Sequence, residues 1–244
     1  MNEEIFSIIM PAYNAEKTIV ESIDSVLNQT FKDFKLYIID DASNDTTVDI
    51  VKSFNDERII LIKNEINSGV AETRNVGIKL CAGKYISFID SDDLWQESKL
   101  ENQYYFLTNG KNVVCSNYSV FCDDERKYER LNPEIISYRM MLKSNYIGNL
   151  TGAYNAELLG KFYQKAIGHE DYLMWLSIIR KAGLAYCIQK SLAKYRLSNT
   201  SVSSNKLRVI KWQWNIYVRE LKLPLFKSLF YFTCYIFSAI KKRV

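Results

Sequence analysis

The sequence predicts an α/β domain, a mainly parallel sheet flanked by helices, followed by a C-terminal helical extension. Three observations carry that prediction. Strand and helix signals alternate through about the first hundred residues, which is the order of a parallel sheet with crossover helices. The strand signals are continuous apolar runs, as in strands covered on both faces. Each of the main runs ends in a polar cluster, at the carboxyl end where ligands of such sheets collect.

The elements follow in order. Ile5 to Met10 (IFSIIM) is an apolar run stopped by Pro11. Asn14 is placed to cap a helix whose apolar positions Ile19, Ile23, Val26 and Leu27 fall at helical spacing. Phe34 to Ile39 (FKLYII) is a second strand, running into the turn Asp40-Asp41-Ala42-Ser43-Asn44-Asp45 with a cap at Asp45. Val48 to Phe54 reads as a short helix and Arg58 to Ile62 as a third strand. Asn67-Ser68-Gly69 opens a helix over Val70 to Cys81, Gly83 ends it, and Tyr85 to Ile89 is a fourth strand. Further on, Val113 to Phe121 is a strand, Asp123 to Asn132 a charged loop, Ile135 to Lys143 a helix, Asp171 to Ala182 another, and Leu184 to Tyr195 a strand. The domain is taken as residues 1–204 and the helical tail as residues 205–244.

Composition narrows the function classes. With 48% hydrophobic and 25% charged residues the chain is globular and not disordered. The five cysteines (Cys81, Cys115, Cys122, Cys187, Cys234) form no CxxC pair, and His169 is the single histidine, so zinc-site spacing is absent. Free thiols in a reducing compartment and an N-terminus without a signal-peptide pattern lead to a cytoplasmic expectation. Charge is uneven: residues 205–244 hold nine Lys or Arg against Glu220, a net +8, which leaves −4 on the rest. A basic tail suits an anionic surface.

Three acidic clusters are candidates for chemistry, each with two readings. In Phe88-Ile89-Asp90-Ser91-Asp92-Asp93, strand alternation puts Asp90 and Asp92 on one side. Crowded carboxylates there either share a divalent cation, Mg²⁺ or Mn²⁺, with a diphosphate, or cap the helix that follows. Asp40-Asp41 either accepts hydrogen bonds from a ribose or base edge or forms an Asx turn. In His169-Glu170-Asp171 a carboxylate is either a general base or a helix cap. His169 itself reads as structural.

The segments SIIMPAYN, IIDDASNDTT, NSGVAETRNVGI, GKYISFIDSDD, GHEDY and YRLSNTSVS occur in this order. Together they resemble the family 2 glycosyltransferases of the bacterial surface-polysaccharide type, which have the GT-A (nucleotide-diphospho-sugar transferase) fold. The resemblance spans Ile5 to Ser204 and is most specific in the first hundred residues. It implies inverting transfer from a nucleotide diphosphate donor, UDP-linked on family precedent, to a saccharide acceptor. Pro11, Ala12 and Tyr13 then correspond to the floor of the nucleobase pocket, Asp41 to the acid bonding the base, with Asp40 beside it, and Arg74 to a nucleotide contact. Asp90 and Asp92 correspond to the DxD motif, Asp90 near the ribose and Asp92 on a Mn²⁺ or Mg²⁺ ion, with Asp93 behind them. Glu170 and Asp171 correspond to the acidic pair, with Asp171 the catalytic base. One departure stands out: where many relatives carry a histidine after the Tyr-Arg pair, Tyr195-Arg196 is followed by Leu197-Ser198-Asn199.

In the tail, Leu207, Ile210, Trp214, Tyr217 and Leu221 form a stripe at helical spacing, and Pro224 precedes the Phe- and Tyr-rich run Leu225 to Ile240, closed by Lys241-Lys242-Arg243. That run is short of the ~20 residues that span a bilayer. An interfacial helix at the membrane surface, which would suit a lipid-linked acceptor on the cytoplasmic face, competes with a helix packed internally or on a second subunit. Among rival functions, a nucleotidyltransferase would need a Gly-rich loop where PAYNAEKT has none, and a dehydrogenase would need GxGxxG. Nucleic-acid binding does not fit an acidic catalytic half with a Phe-rich tail. The alternative class is a non-catalytic, membrane-peripheral scaffold that binds nucleotide sugar without turnover.

Overall fold

A computed structural model describes residues 4–122, 125–197 and 206–241. Strands β1 (Phe6–Ala12), β2 (Phe34–Asp40), β3 (Ile59–Lys63) and β4 (Tyr85–Phe88) form a wholly parallel block in the order β3-β2-β1-β4. They are linked by α1 (Ile19–Leu27), α2 (Thr47–Ser53) and α3 (Val70–Leu80), as the alternation predicts. The continuous apolar runs are explained by burial on both faces. Ile8, Met10, Leu36 and Ile38 pack with α1 on one side. Ile9, Tyr37, Ile39 and Phe88 pack on the other side with residues of α3 and of α7 (Glu170–Ala182).

The second half of the sheet is mixed. The short strand β9 (Ala153–Asn155) runs antiparallel to β4 and also to β6 (Val113–Cys122), which is parallel to β10 (Leu184–Arg196). At the far edge β5 (Leu94–Trp95) pairs β10. Helix α4 (Lys99–Thr108) and the short helices α5 (Tyr138–Met141) and α6 (Ala156–Leu159) complete this half.

Four sequence expectations are corrected. Within the stretch Asp123 to Asn132, expected to be a loop, residues 125–130 are a strand: β7 (Glu125–Arg130) forms a hairpin with β6, its charges tolerated because it is an edge strand. The helix expected over Ile135 to Lys143 begins as a strand, β8 (Ile135–Ser137), since β-branched Ile135 and Ile136 pair with β10; only α5 follows. Asn14 does not cap α1, which starts at Ile19 behind Thr18; Asn14 has φ +48° and its side chain accepts from the Asn44 N–H instead. The alternation argument for Asp90 and Asp92 fails as well, because β4 ends at Phe88 and Asp90 to Asp93 form a turn closed by Asp93 N–H donating to Asp90 C=O at 3.1 Å.

The tail comprises α8 (Lys206–Asn215), a wide turn of π-helix (Ile216–Glu220) and α9 (Leu225–Lys241). The wide turn drives Ile216 and Tyr217 into the core, where the Tyr217 hydroxyl donates to Leu142 C=O at 2.6 Å. Of the expected stripe, Tyr217 is buried, Trp214 and Leu221 are half-buried and Ile210 is exposed; the Leu207 side chain lies outside the described residues.

Candidate active site

The site forms where β1, β2 and β4 end. A cleft of about 760 Å³ opens there, lined by Tyr13, Asn14, Thr18, Asn44, Asp45, Ser91, Asp92 and Arg196. Pro11 and Ala12 are buried in β1 beneath it and can present only backbone, whereas Tyr13, 49% exposed, presents its ring.

Asp40 and Asp41 are both buried, but they do different things. Asp40 Oδ2 accepts from Ser43 N–H at 3.3 Å, the turn reading of the sequence, while its Oδ1 is buried without a partner. Asp41 reaches across to the loop that precedes α3: Oδ1 accepts from Asn64 Nδ2, Ser68 N–H and Ser68 Oγ, and Oδ2 from Gly69 N–H at 2.8 Å. Burial alone would raise the Asp41 pKa; these donors outweigh it and hold the group below the ordinary carboxylate range. Gly69, at φ +84°, adopts the backbone that turns its N–H toward this carboxylate. Oδ1 is thus saturated, and a base edge would have to use the remaining acceptor position on Oδ2.

Neither Asp92 nor Asp93 caps a helix, because α4 starts behind Ser98. Each of the three carboxylates instead has its own electrostatic situation. Asp90 is paired with Arg74, Nη2 to Oδ1 at 2.5 Å. Asp93 is buried and accepts from Arg196 N–H at 2.9 Å; burial and the charges of Asp92 and Asp90 push its pKa well up. Asp92 has no side-chain partner among the described residues. Burial and then Asp90 push its pKa up to about 6, against the weaker pull of Arg196 and Arg74. Arg196 lies beside it, Nε donating to Asp92 C=O at 2.8 Å, with its guanidinium stacked 4.6 Å from the Phe121 ring centroid and paired to Glu21. Residues 198–203 of the YRLSNTSVS segment lie outside the described residues.

Among the described residues no three His, Cys, Asp or Glu side chains converge as a ready metal set. A cation would therefore take Asp92 as its protein ligand and complete its shell with phosphate oxygens and water, a mode Mg²⁺ commonly adopts. The raised Asp92 pKa fits this: the carboxylate sits where positive charge is in deficit.

Arg74 joins the two halves of the site. It is 5% exposed, and its Nη1 donates to Gln164 Oε1 at 3.2 Å. Burial would lower its pKa, but Asp90 first, then Asp171 and Glu170, outweigh that and keep it a cation. Glu170 and Asp171 lie in the first turn of α7, where the helix dipole favours acids; the capping position belongs to His169, whose side chain makes no cap bond. His169 is half-buried with its Nε2 unpartnered; burial holds its pKa below the usual value despite Asp171 and Glu170 nearby. Two residues not singled out from the sequence complete the junction, Asn75 within the quoted segment NSGVAETRNVGI and Gln164 outside every quoted segment. Asn75 brackets Gln164, accepting from its N–H at 2.7 Å and donating to its C=O at 2.9 Å, and Gln164 in turn holds Arg74. Only its contacts in space identify Gln164.

Comparison with known proteins places this arrangement. The family model described as "Glycosyl transferase family 2" matches residues 7–163. The chain is 39% identical over its whole length, and over 96% of the relative's, to Escherichia coli WfgD, a UDP-Glc:α-D-GlcNAc-diphosphoundecaprenol β-1,3-glucosyltransferase. It is 35% identical to Bacillus subtilis TuaG, a putative teichuronic acid biosynthesis glycosyltransferase, over 98% of each chain. Among solved structures, S. aureus TarS 1-349 in complex with UDP-GlcNAc superposes with a TM-score of 0.74 at 24% identity, over 91% of this chain and 68% of that one. A Pyrobaculum calidifontis mannosyltransferase in complex with GDP-Man and Mn²⁺ gives 0.68 at 16% identity, over 91% and 65% of the two chains. These two establish the GT-A fold. With its family model, its full-length relatives and its fold in agreement, the chain belongs to glycosyl transferase family 2.

Proposed function

We propose that this glycosyltransferase moves a sugar from a UDP-linked donor to a lipid-linked saccharide diphosphate, with inversion and with the help of a divalent cation. The observation that carries the reading is the Arg74 junction, which ties the carboxylates at the cleft to the Glu170–Asp171 pair. The relatives' stated substrates, a UDP-sugar and a diphosphoundecaprenol-linked GlcNAc, support the donor and acceptor classes.

In this reading the Tyr13 ring and the Pro11–Ala12 backbone flank the base, Asp41 offers Oδ2 to it, and Asp90 is aimed at the ribose by Arg74. A Mn²⁺ or Mg²⁺ ion on Asp92 would supply charge compensation for the departing nucleoside diphosphate. Asp171 accepts the proton of the acceptor hydroxyl as that oxygen attacks the anomeric carbon from the face opposite the leaving group. Arg74 holds a fixed positive charge beside these acids while the acceptor enters. A panel of UDP-glucose, UDP-GlcNAc and GDP-mannose with Mn²⁺ is expected to show transfer to a GlcNAc-diphospho-lipid from a UDP-sugar. Binding with neither transfer nor hydrolysis would favour the scaffold alternative, and hydrolysis of the donor would exclude it.

We place the protein at a membrane surface through α9, with residues 205–244 as a functional appendage of the catalytic domain. No helix among the described residues is long and apolar enough to cross a membrane. The outer face of α9 nevertheless leaves Phe226, Leu229, Phe230 and Phe237 exposed, Phe226 at 69% and Phe237 at 72%, in a row at helical spacing. Basic residues at both ends, Lys222 and Lys227 and then Lys241, suit an anionic bilayer. Replacing Phe226, Phe230 and Phe237 by Ser should abolish co-flotation with anionic liposomes while leaving transfer to a soluble acceptor analogue intact; undiminished flotation would discard this placement.

A further inference from the structure

We infer that Trp212 is a positioning residue for Asp171, so that the first tail helix moulds the turn from which the catalytic carboxylate projects. This deepens the proposed function and rests on Asp171 being the base.

Glu170 and Asp171 follow two consecutive residues in the left-handed region, Gly168 at φ +74° and His169 at φ +55°. Only glycine adopts that backbone freely, and His169 needs its surroundings to hold it there. The surroundings come from α8. The Trp212 indole lies on the Gly168 backbone so closely that a Cβ at Gly168 would sit 2.2 Å from Cδ2 and 2.3 Å from Cε2 of the ring. His169 stands edge-on to the same indole, with ring centroids 5.7 Å apart. A third tie closes the span, Lys165 Nζ to Glu220 Oε2 at 2.6 Å.

The other end of this segment is fixed by the catalytic domain, where Asn75 brackets Gln164 through both backbone groups. Residues 164–169 are therefore held between α3 and α8. The α3 clamp carries Arg74 and so belongs to the donor side; the α8 clamp touches neither Asp92 nor the cleft. Loosening the second should let Asp171 swing relative to the acceptor while donor binding stays as it was. Misplacement of a catalytic group by an ångström is enough to cost on the order of 100-fold in rate.

The test is kinetic, on the full-length protein with Mn²⁺. Trp212→Ala should lower kcat about 10–100-fold with UDP affinity by calorimetry within about twofold of wild type, and Trp212→Phe, which keeps an aromatic face on Gly168, should recover most of the loss. Gly168→Ala reaches the same turn from the other side, and its effect should be less than additive with Trp212→Ala, since removal of the indole makes room for the new methyl. Unchanged kcat in Trp212→Ala overturns the proposal. So does a parallel loss of UDP affinity, which would mark a general disturbance of the fold. Asp171→Asn distinguishes the two levels: full turnover in that variant defeats the assignment of the base, whatever Trp212 does.

Discussion

Asp171→Asn is expected to lower kcat by about 10²–10⁴-fold, the range that a positioned general base contributes. The amide keeps the size and the hydrogen-bonding reach of the carboxylate but cannot take the acceptor proton. Binding of UDP and Mn²⁺ should be unchanged, because Asp171 lies in the first turn of α7 and the cleft is lined from β1, the Asn44–Asp45 turn and the Ser91–Asp92 turn. The signature is therefore a fall in kcat with donor affinity intact in calorimetry. Both Glu170 and Asp171 act on Arg74, so Glu170→Gln is the matched control. Should that variant lose turnover while Asp171→Asn retains it, the two acids exchange roles.

Asp92→Asn should abolish cation-dependent binding of a UDP-sugar and at the same time make the cation-free protein more heat-stable at pH 8. The two effects have one cause. The Asp92 carboxyl, pushed up to about 6, binds its proton more tightly folded than unfolded. Its ionisation therefore costs stability as pH rises from about 4 to 6, at most ~3 kcal/mol, and the cost persists above that window. An uncharged Asn escapes it. With ~2–4 °C per kcal/mol for a protein of this size, the variant's Tm in EDTA should exceed the wild type's by several degrees at pH 8 and converge with it near pH 4. Equal Tm values at pH 8 would contradict the charge deficit assigned to this carboxylate. In the wild type, proton and cation compete for the same oxygens, so cation-dependent affinity should fall about tenfold per pH unit below pH 6. A UDP-sugar is the right probe, because the terminal phosphate of UDP would itself titrate in this range.

How much of this was legible in the sequence divides along physical lines. The parallel block was, because burial on both faces forces unbroken apolar runs such as Phe34 to Ile39 and crossover helices force the alternation. The acidic clusters were, because carboxylates at strand ends are conspicuous. Their environments were not. Asp90, Asp92 and Asp93 look alike in a string of letters, yet one is paired by Arg74, one is buried against the Arg196 backbone and one is left short of positive charge. Arg74 is 16 residues from Asp90, and Gln164 is 90 from Arg74. Pairings over such separations are set by the whole fold. The β7 hairpin was hidden for another reason: an edge strand exposed to water tolerates charges that composition reads as loop.

The strand β9 has a consequence for how such an enzyme diversifies. By pairing β4 on one side and β6 on the other, three residues splice the donor-binding strands and the acceptor-side strands into one hydrogen-bonded platform. The halves cannot open and shut about a hinge, and adjustment to a new acceptor is left to the segments that overhang the platform. Exchange of those segments between relatives should then retune which glycan is extended without disturbing how the activated sugar is held.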